Sequence, residues 1–258
     1  MIRLLLACGA DPNAVSDPIS HVFEAQGTQH VFYRKTDGHI AELSWENGNA
    51  PIPRNRTGEI GALLSGGKPT THVFAAEGTQ HLFYTACGHI IELSWRGAES
   101  AHVRDLSFLT VPSGGTPDAA GDPTSHILDA DGSQHVFYVS TLGHVVELSW
   151  RGAEVPHVKN LNFPNDGSPA VASRLTSHVL GADGSQHVFY RGANNHIIEL
   201  SWKGNETPHR ADLTQETGAP LAYGDPASLV YSAQGTQHVF YKAEFSDLNG
   251  SDIIELWS

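Results

Sequence analysis

One unit of about fifty residues is written five times along the 258-residue chain, and no other feature constrains the fold as strongly. The phrase Gln-His-[Val/Leu]-Phe-Tyr begins at Gln29, Gln80, Gln134, Gln186 and Gln237. The phrase Glu-Leu-Ser-Trp follows at Glu42, Glu92, Glu147 and Glu199, and a fifth copy reads Glu255, Leu256, Trp257. The order is the same in every copy. A fixed period of this kind means one supersecondary unit that buries its apolar faces against its own repeats.

Each unit reads as short strands joined by tight turns. In the first copy the strands are Ser20 to Phe23, Gln29 to Arg34 and His39 to Trp45, with Ala25-Gln26-Gly27-Thr28 and Thr36-Asp37-Gly38 as turns. A weaker fourth strand reads His102 to Leu106, His157 to Leu161 and His209 to Leu213 in later copies. Val, Ile, Phe, Tyr and Trp dominate, as strand propensity requires. Strands such as Ile90 to Trp95 are apolar on both faces, which asks for a sheet covered on both sides. Four strands per unit predicts an all-β, five-bladed β-propeller rather than a sandwich. The expected blades are 19–66, 67–120, 121–173, 174–223 and 224–258 plus 1–8, in one domain over 1–258. The fifth copy stops after its third strand, so Ile2 to Ala7 is expected to supply the missing strand and close the ring. A rival reading of Leu4 to Asn13 is the end of an ankyrin-like repeat.

Composition excludes several classes. The net charge is −13 and basic residues never form a run, so a nucleic-acid partner is not expected. No stretch has the length of a membrane span, and the apolar run Leu4 to Cys8 is too short for a signal peptide, which predicts a soluble chain without membrane insertion. The two cysteines, Cys8 and Cys87, make no disulfide framework.

All sixteen histidines fall at repeat positions. No lone nucleophile with a unique base stands out, and Gly-x-Ser-x-Gly, His-Glu-x-x-His and phosphate-binding glycine loops are missing from the sequence. The first-strand histidines, His21, His72, His126 and His178, would line a propeller channel, but the fifth copy has Leu229 there. Hydrogen bonding explains them better than metal ligation, so neither a catalytic residue nor a metal or other cofactor is assigned. The sharper constellation is His30, Glu42, Trp45; His81, Glu92, Trp95; His135, Glu147, Trp150; His187, Glu199, Trp202; and His238, Glu255, Trp257. A carboxylate recurring in strands this apolar must be paired or hydrogen-bonded. Alternation sends Glu42 to one face and Leu43 and Trp45 to the other, so the Glu face of one blade meets the Trp face of the next. Sugars fit such gaps, with hydroxyls on charged groups and the C–H face on an aromatic ring. A two-residue Asp37-Gly38 loop would set Tyr33 opposite Glu42. A three-residue loop would put His30 and Phe32 on the Glu face. The same His, Glu and Trp pattern is also what strand-tying pairs and core packing would produce.

The string from Gln29 to Trp45 resembles the repeat of fucose-specific propeller lectins of fungi and bacteria, and the resemblance covers nearly the whole chain. It implies sugar sites between blades, with the family's Glu at Glu42, Glu92, Glu147, Glu199 and Glu255. The family's Arg falls on His30, His81, His135, His187 and His238, which lack the guanidinium fork. The expectation is a monomeric, multivalent carbohydrate-binding protein whose partners are glycans or glycoconjugates. The alternatives are an enzyme with a channel site and a protein-binding scaffold using the loops Pro51 to Gly67 and Thr110 to Pro123.

Overall fold

The computed structural model describes residues 17–46, 48–109, 115–162, 167–245 and 250–257. They form five antiparallel sheets, one per repeat, and the chain is an all-β, five-bladed β-propeller. Blade 1 comprises Ile19–Phe23, Thr28–Arg34, Ile40–Glu46 and Ile52–Asn55. Blade 2 comprises Thr70–Phe74, Thr79–Ala86, His89–Trp95 and His102–Asp105. Blade 3 comprises Thr124–Leu128, Ser133–Val139, Val145–Trp150 and His157–Asn160. Blade 4 comprises Thr176–Leu180, Ser185–Arg191, Ile197–Trp202 and His209–Asp212. Blade 5 has three strands among the described residues, Ala227–Tyr231, Thr236–Phe245 and Gly250–Trp257. The expected closing strand Ile2 to Ala7, and its ankyrin-like rival, lie outside the described residues. Strands within a blade pair in chain order, each with the one before it.

The chain divides into two compact units, Met1–Pro123 with blades 1 and 2, and Thr124–Ser258 with blades 3 to 5. In the first unit the apolar layer lies between the two blades: Phe32 and Ile40 of blade 1 meet Leu82, Tyr84, Ile91, Leu93 and Trp95 of blade 2. In the second, Phe137, Val139 and Val145 of blade 3 meet Val188, Tyr190, Ile198, Leu200 and Trp202 of blade 4. Phe189 and Ile197 of blade 4 then meet Val239 and Tyr241 of blade 5. Blade 4, with core against blade 3 on one side and blade 5 on the other, shows why its strands are apolar on both faces. Burying one such side chain stabilises by roughly 1.5–3 kcal/mol.

The turn chemistry fixes the register. In blade 1 the Lys35 N–H donates to the His39 carbonyl at 2.8 Å and the Gly38 N–H to the Lys35 carbonyl at 3.0 Å. Gly38 has φ +83°, so this is a three-residue loop ending in a left-handed residue. Phe32 therefore pairs with Glu42 and His30 with Ser44, which puts His30 on the Glu face. Blade 4 makes the same turn with Asn195 at φ 63° in the glycine's place. Blade 2 instead has a two-residue turn, Cys87-Gly88, with φ 51° and 82°. Cys87 is a free, exposed thiol.

Two features lie outside the sequence reading. Blade 1 does have a fourth strand, Ile52–Asn55, inside the stretch expected to be a divergent loop. The fourth strands also end earlier than expected, because a side chain turns the backbone. Asp105 Oδ1 accepts from the Phe108 N–H and Asp212 Oδ1 from the Gln215 N–H, each at 2.9 Å, opening short helices at Leu106–Leu109 and Leu213–Thr217. Just beyond, a buried polar side chain accepts the N–H at the head of the third strand. Thr57 takes Ile40, Ser107 takes Ile90, Asn162 takes Val145 and Thr214 takes Ile197, at 2.6–3.0 Å. Thr214→Val should leave the Ile197 N–H buried and unpaired at a cost of about 1–3 kcal/mol. A thermal melt should show Tm lowered by about 2–4 °C per kcal/mol, and an unchanged Tm would show the bond is dispensable.

Candidate functional site

Each blade places the histidine of its second strand beside the glutamate of its third. The Nδ1–Oε1 distances are 2.6 Å for His30–Glu42, 2.7 Å for His81–Glu92, 2.7 Å for His135–Glu147, 2.6 Å for His187–Glu199 and 2.6 Å for His238–Glu255. The other ring nitrogen meets a hydroxyl two residues earlier: Thr28, Thr79, Ser133, Ser185 or Thr236, at 2.7–2.9 Å. The imidazole is thus held at both ends, with Nδ1–H directed at the carboxylate.

In blades 1 to 4 this pair is buried. Glu42 is 0 % exposed, Glu92 1 %, Glu147 3 % and Glu199 7 %, so these carboxylates are closed to solvent. In blades 1 and 2 the second oxygen receives an arginine, in blade 3 a lysine is the cross-strand neighbour, and in blade 4 the histidine-bound oxygen takes a second donor from the next blade. Arg56 Nε donates to Glu42 Oε2 at 2.5 Å, and its guanidinium stacks 4.3 Å from the Trp95 ring of blade 2. Arg104 Nη1 reaches Glu92 Oε2 at 3.4 Å. Lys159 pairs in register with Glu147 and lies 5.9 Å over the Trp202 ring of blade 4. The Gln237 amide of blade 5 donates to Glu199 Oε1 at 3.1 Å. Burial raises the Glu42 carboxyl, but the His30 hydrogen bond and the Arg56 charge outweigh it, and the net shift is downward.

The structure brings His30 and Glu42 to the same seam as Trp95, and His135 and Glu147 to that of Trp202. Trp45 faces the opposite way from its own Glu42, as alternation requires. Trp95, Trp150 and Trp202 are buried, and Trp45 is half-buried. Trp257 departs from the pattern. Its register partner is His238, the place held by Ser44 opposite His30, so it shares the face of Glu255. In blade 5 that face is open: Trp257 is 72 % exposed and the Glu255 side chain 46 %. The sequence reading missed the basic partners, although their signal was present. Arg54, Arg104 and Lys159 recur at the third position of the fourth strands in register with Glu42, Glu92 and Glu147, although it is Arg56, two residues beyond Arg54, that bonds Glu42.

The first-strand histidines reach across the seams. His21 Nε2 meets Gln80 Oε1 at 2.8 Å, and its Nδ1 meets Thr71 Oγ1 at 2.9 Å. His126 meets Gln186 at 3.0 Å, and His178 meets Gln237 and Ser228, each at 3.0 Å. Among the described residues, no group of three or more His, Cys, Asp or Glu side chains is placed to hold a metal ion. Nor is any described helix long and apolar enough to cross a membrane. On the Trp45 face of blade 1 lies a cavity of about 660 Å³, lined among others by Ser20, Gln29, Val31, Trp45, Asn49 and Pro51.

No protein-family profile and no curated protein matches the chain. Solved structures do match, and among them are fucose-specific propeller lectins. The BP39L lectin of Burkholderia pseudomallei aligns with a TM-score of 0.65 at 12 % identity, over 94 % of this chain and 68 % of its own. AofleA of Arthrobotrys oligospora aligns at 0.59 and 13 % identity, over 96 % and 72 %. The Aleuria aurantia lectin, described as a six-bladed β-propeller with a novel fucose recognition mode, aligns at 0.59 and 16 % identity, over 92 % and 76 %. At these identities the likeness is one of fold.

The seam histidines make stability depend on pH. Burial pushes His21 down to about 4 and His126 down to about 3, and it also lowers His178. His30 and Glu42 face His21; His135, His178 and His187 face His126; His187 and Glu199 face His178. The unfolded chain takes up these protons near pH 6.5, before the folded chain does. The stability they contribute is therefore complete above about pH 6.5 and falls as pH drops toward the folded values; the lowered Glu42 adds loss in the same direction. Melting curves from pH 8 to 4 should show Tm declining below about 6.5. His126→Leu, the residue blade 5 carries at Leu229, should flatten that decline, and an equally steep decline would remove His126 from the account.

Proposed function

We propose that the chain is a carbohydrate-binding protein, with glycan sites built on aromatic faces of its blades. The observation that carries this reading is the cavity on blade 1. Its volume, about 660 Å³, is that of a small-ligand pocket. Its wall offers the Trp45 indole as a plate for the C–H face of a pyranose. Exposed Gln29 and Asn49 amides supply both donors and acceptors for ring hydroxyls. The likeness in fold to lectins described as fucose-specific supports the same class of ligand.

The seam sites expected from the sequence narrow under this reading. In blades 1 to 4 the glutamate is buried and already hydrogen-bonded by histidine and, in blades 1 and 2, by arginine, so it has little left for a sugar hydroxyl. Those pairs tie strands together, and recognition falls to faces where an indole reaches solvent. The resemblance of the repeat puts His30, His81, His135, His187 and His238 where the fucose-specific family has arginine, so the sugar this chain selects need not be fucose. Each site alone should be weak, and a monomer carrying more than one would gain affinity for glycosylated surfaces through effective concentration.

A glycan array probed with the parent, Trp45→Ala and Glu147→Gln separates the readings. The parent should bind a defined sugar class, and Trp45→Ala should lose at least about tenfold in affinity, the scale of one aromatic platform. Glu147→Gln should lower Tm and leave glycan binding in place. Loss of binding in folded Glu147→Gln would return recognition to the seams, and a folded parent that binds no glycan would overturn the lectin reading.

A further inference from the structure

Blade 5 ends its third strand with Glu-Leu-Trp where the other four copies read Glu-Leu-Ser. The exchange moves an indole onto the carboxylate's face. Trp257 stands across from His238, and Glu255 two residues earlier stands across from Phe240. The carboxylate is already oriented. His238 Nδ1 holds Oε1 at 2.6 Å, and the Thr236 hydroxyl meets His238 Nε2 at 2.9 Å. The side chain is nevertheless 46 % exposed and Trp257 72 %, and the two stand on the same face of the strand.

The other blades show what this carboxylate geometry attracts. In blades 1 and 2 the second oxygen receives a guanidinium, Arg56 on Glu42 and Arg104 on Glu92, and in blade 3 Lys159 is the cross-strand neighbour of Glu147. In blade 1 the cation also stacks on an indole, 4.3 Å from the Trp95 ring. Among the described residues of blade 5, no fourth strand brings such a cation. Lys242, on the same face, lies 5.1 Å over the Tyr223 ring.

We propose that the His238–Glu255–Trp257 face binds an ammonium-bearing sugar, an unacetylated 2-amino-hexose unit. The ligand's ammonium takes the place at Glu255 that arginine takes at Glu42, as a charge-assisted hydrogen bond. The sugar's C–H face lies on the Trp257 indole, whose ring also attracts the cation. A net charge of −13 draws a polycationic glycan toward the chain. The inference rests on the carbohydrate-binding reading but concerns a different face from the Trp45 cavity.

The test titrates the full chain with a glucosamine oligomer, its fully N-acetylated counterpart and an oligolysine of equal charge. Iodide quenching of tryptophan fluorescence provides a second readout, because Trp257 is far more exposed than Trp95, Trp150 or Trp202. The free-amine oligomer should bind and shield Trp257, and acetylation should weaken it at least about tenfold by removing the charge. Glu255→Gln and Trp257→Ala should each weaken it comparably, while glycans dependent on Trp45 keep their affinity. Equal binding of the acetylated oligomer, or full binding by Glu255→Gln, overturns this inference and leaves the lectin reading intact. Oligolysine binding as tight as the amino sugar overturns the sugar as the source of the ammonium. A chain that binds no glycan at all overturns both.

Discussion

Blades 1 to 4 each depend on a buried carboxylate that must be answered. Glu42 and its copies sit in strands otherwise made of Ile, Leu, Val and aromatics, and an unpaired carboxylate there would cost several kcal/mol. The histidine one strand away answers it at 2.6–2.7 Å, and a hydroxyl two residues earlier answers the histidine. A one-residue slip would carry Glu and His to opposite faces and bury both unpaired. The pair therefore fixes the register between second and third strands more firmly than apolar contacts would. It also sets the face that each tryptophan must take, since Trp45, Trp95, Trp150 and Trp202 lie three residues on and point away.

That orientation makes the two faces of a blade complementary to those of its neighbours. The Glu face presents a first-strand histidine in blades 1 to 4 and a basic side chain in blades 1 to 3; the Trp face presents an indole and a glutamine. Within each unit the seams use the same contacts: His21 on Gln80, His126 on Gln186 and His178 on Gln237, with Arg56 over Trp95 and Lys159 over Trp202. Each seam is polar toward the first strands and apolar toward the third. A buried neutral imidazole is a sound partner only while it stays neutral, so the same arrangement that orders the blades is sensitive to acid.

The fold was largely legible in the sequence because repetition reports architecture without reference to propensity. Five copies gave five blades, and the alternation of Glu42, Leu43 and Trp45 placed the faces correctly. The turn was not legible, because Asp37-Gly38 suits both a two-residue and a three-residue loop, and only the Lys35–His39 hydrogen bond decides between them. The fourth strand of blade 1 was hidden because Ile52 stands where the other blades have His102, His157 and His209, and Pro53 follows it. Trp257 was aligned with the other tryptophans by name, yet its spacing from Glu255 differs by one residue, and in a strand one residue is the other face. The basic partners were overlooked because Arg104 and Lys159 lie in the weakest strand of the repeat and Arg56 just beyond it.

The candidate site was less legible than the fold for a physical reason. A His, Glu and Trp triplet is equally good chemistry for closing a seam and for holding a sugar, and residue type alone does not separate the two. Accessibility does. Where they are covered, Glu42 spends its oxygens on His30 and Arg56 and Trp95 spends its ring face on Arg56, and they contribute order. At Trp45, Glu255 and Trp257 the same kinds of group reach solvent. A repeat protein can acquire a binding face in this way with little new chemistry, by leaving a seam surface open or by shifting one aromatic residue by one position along a strand.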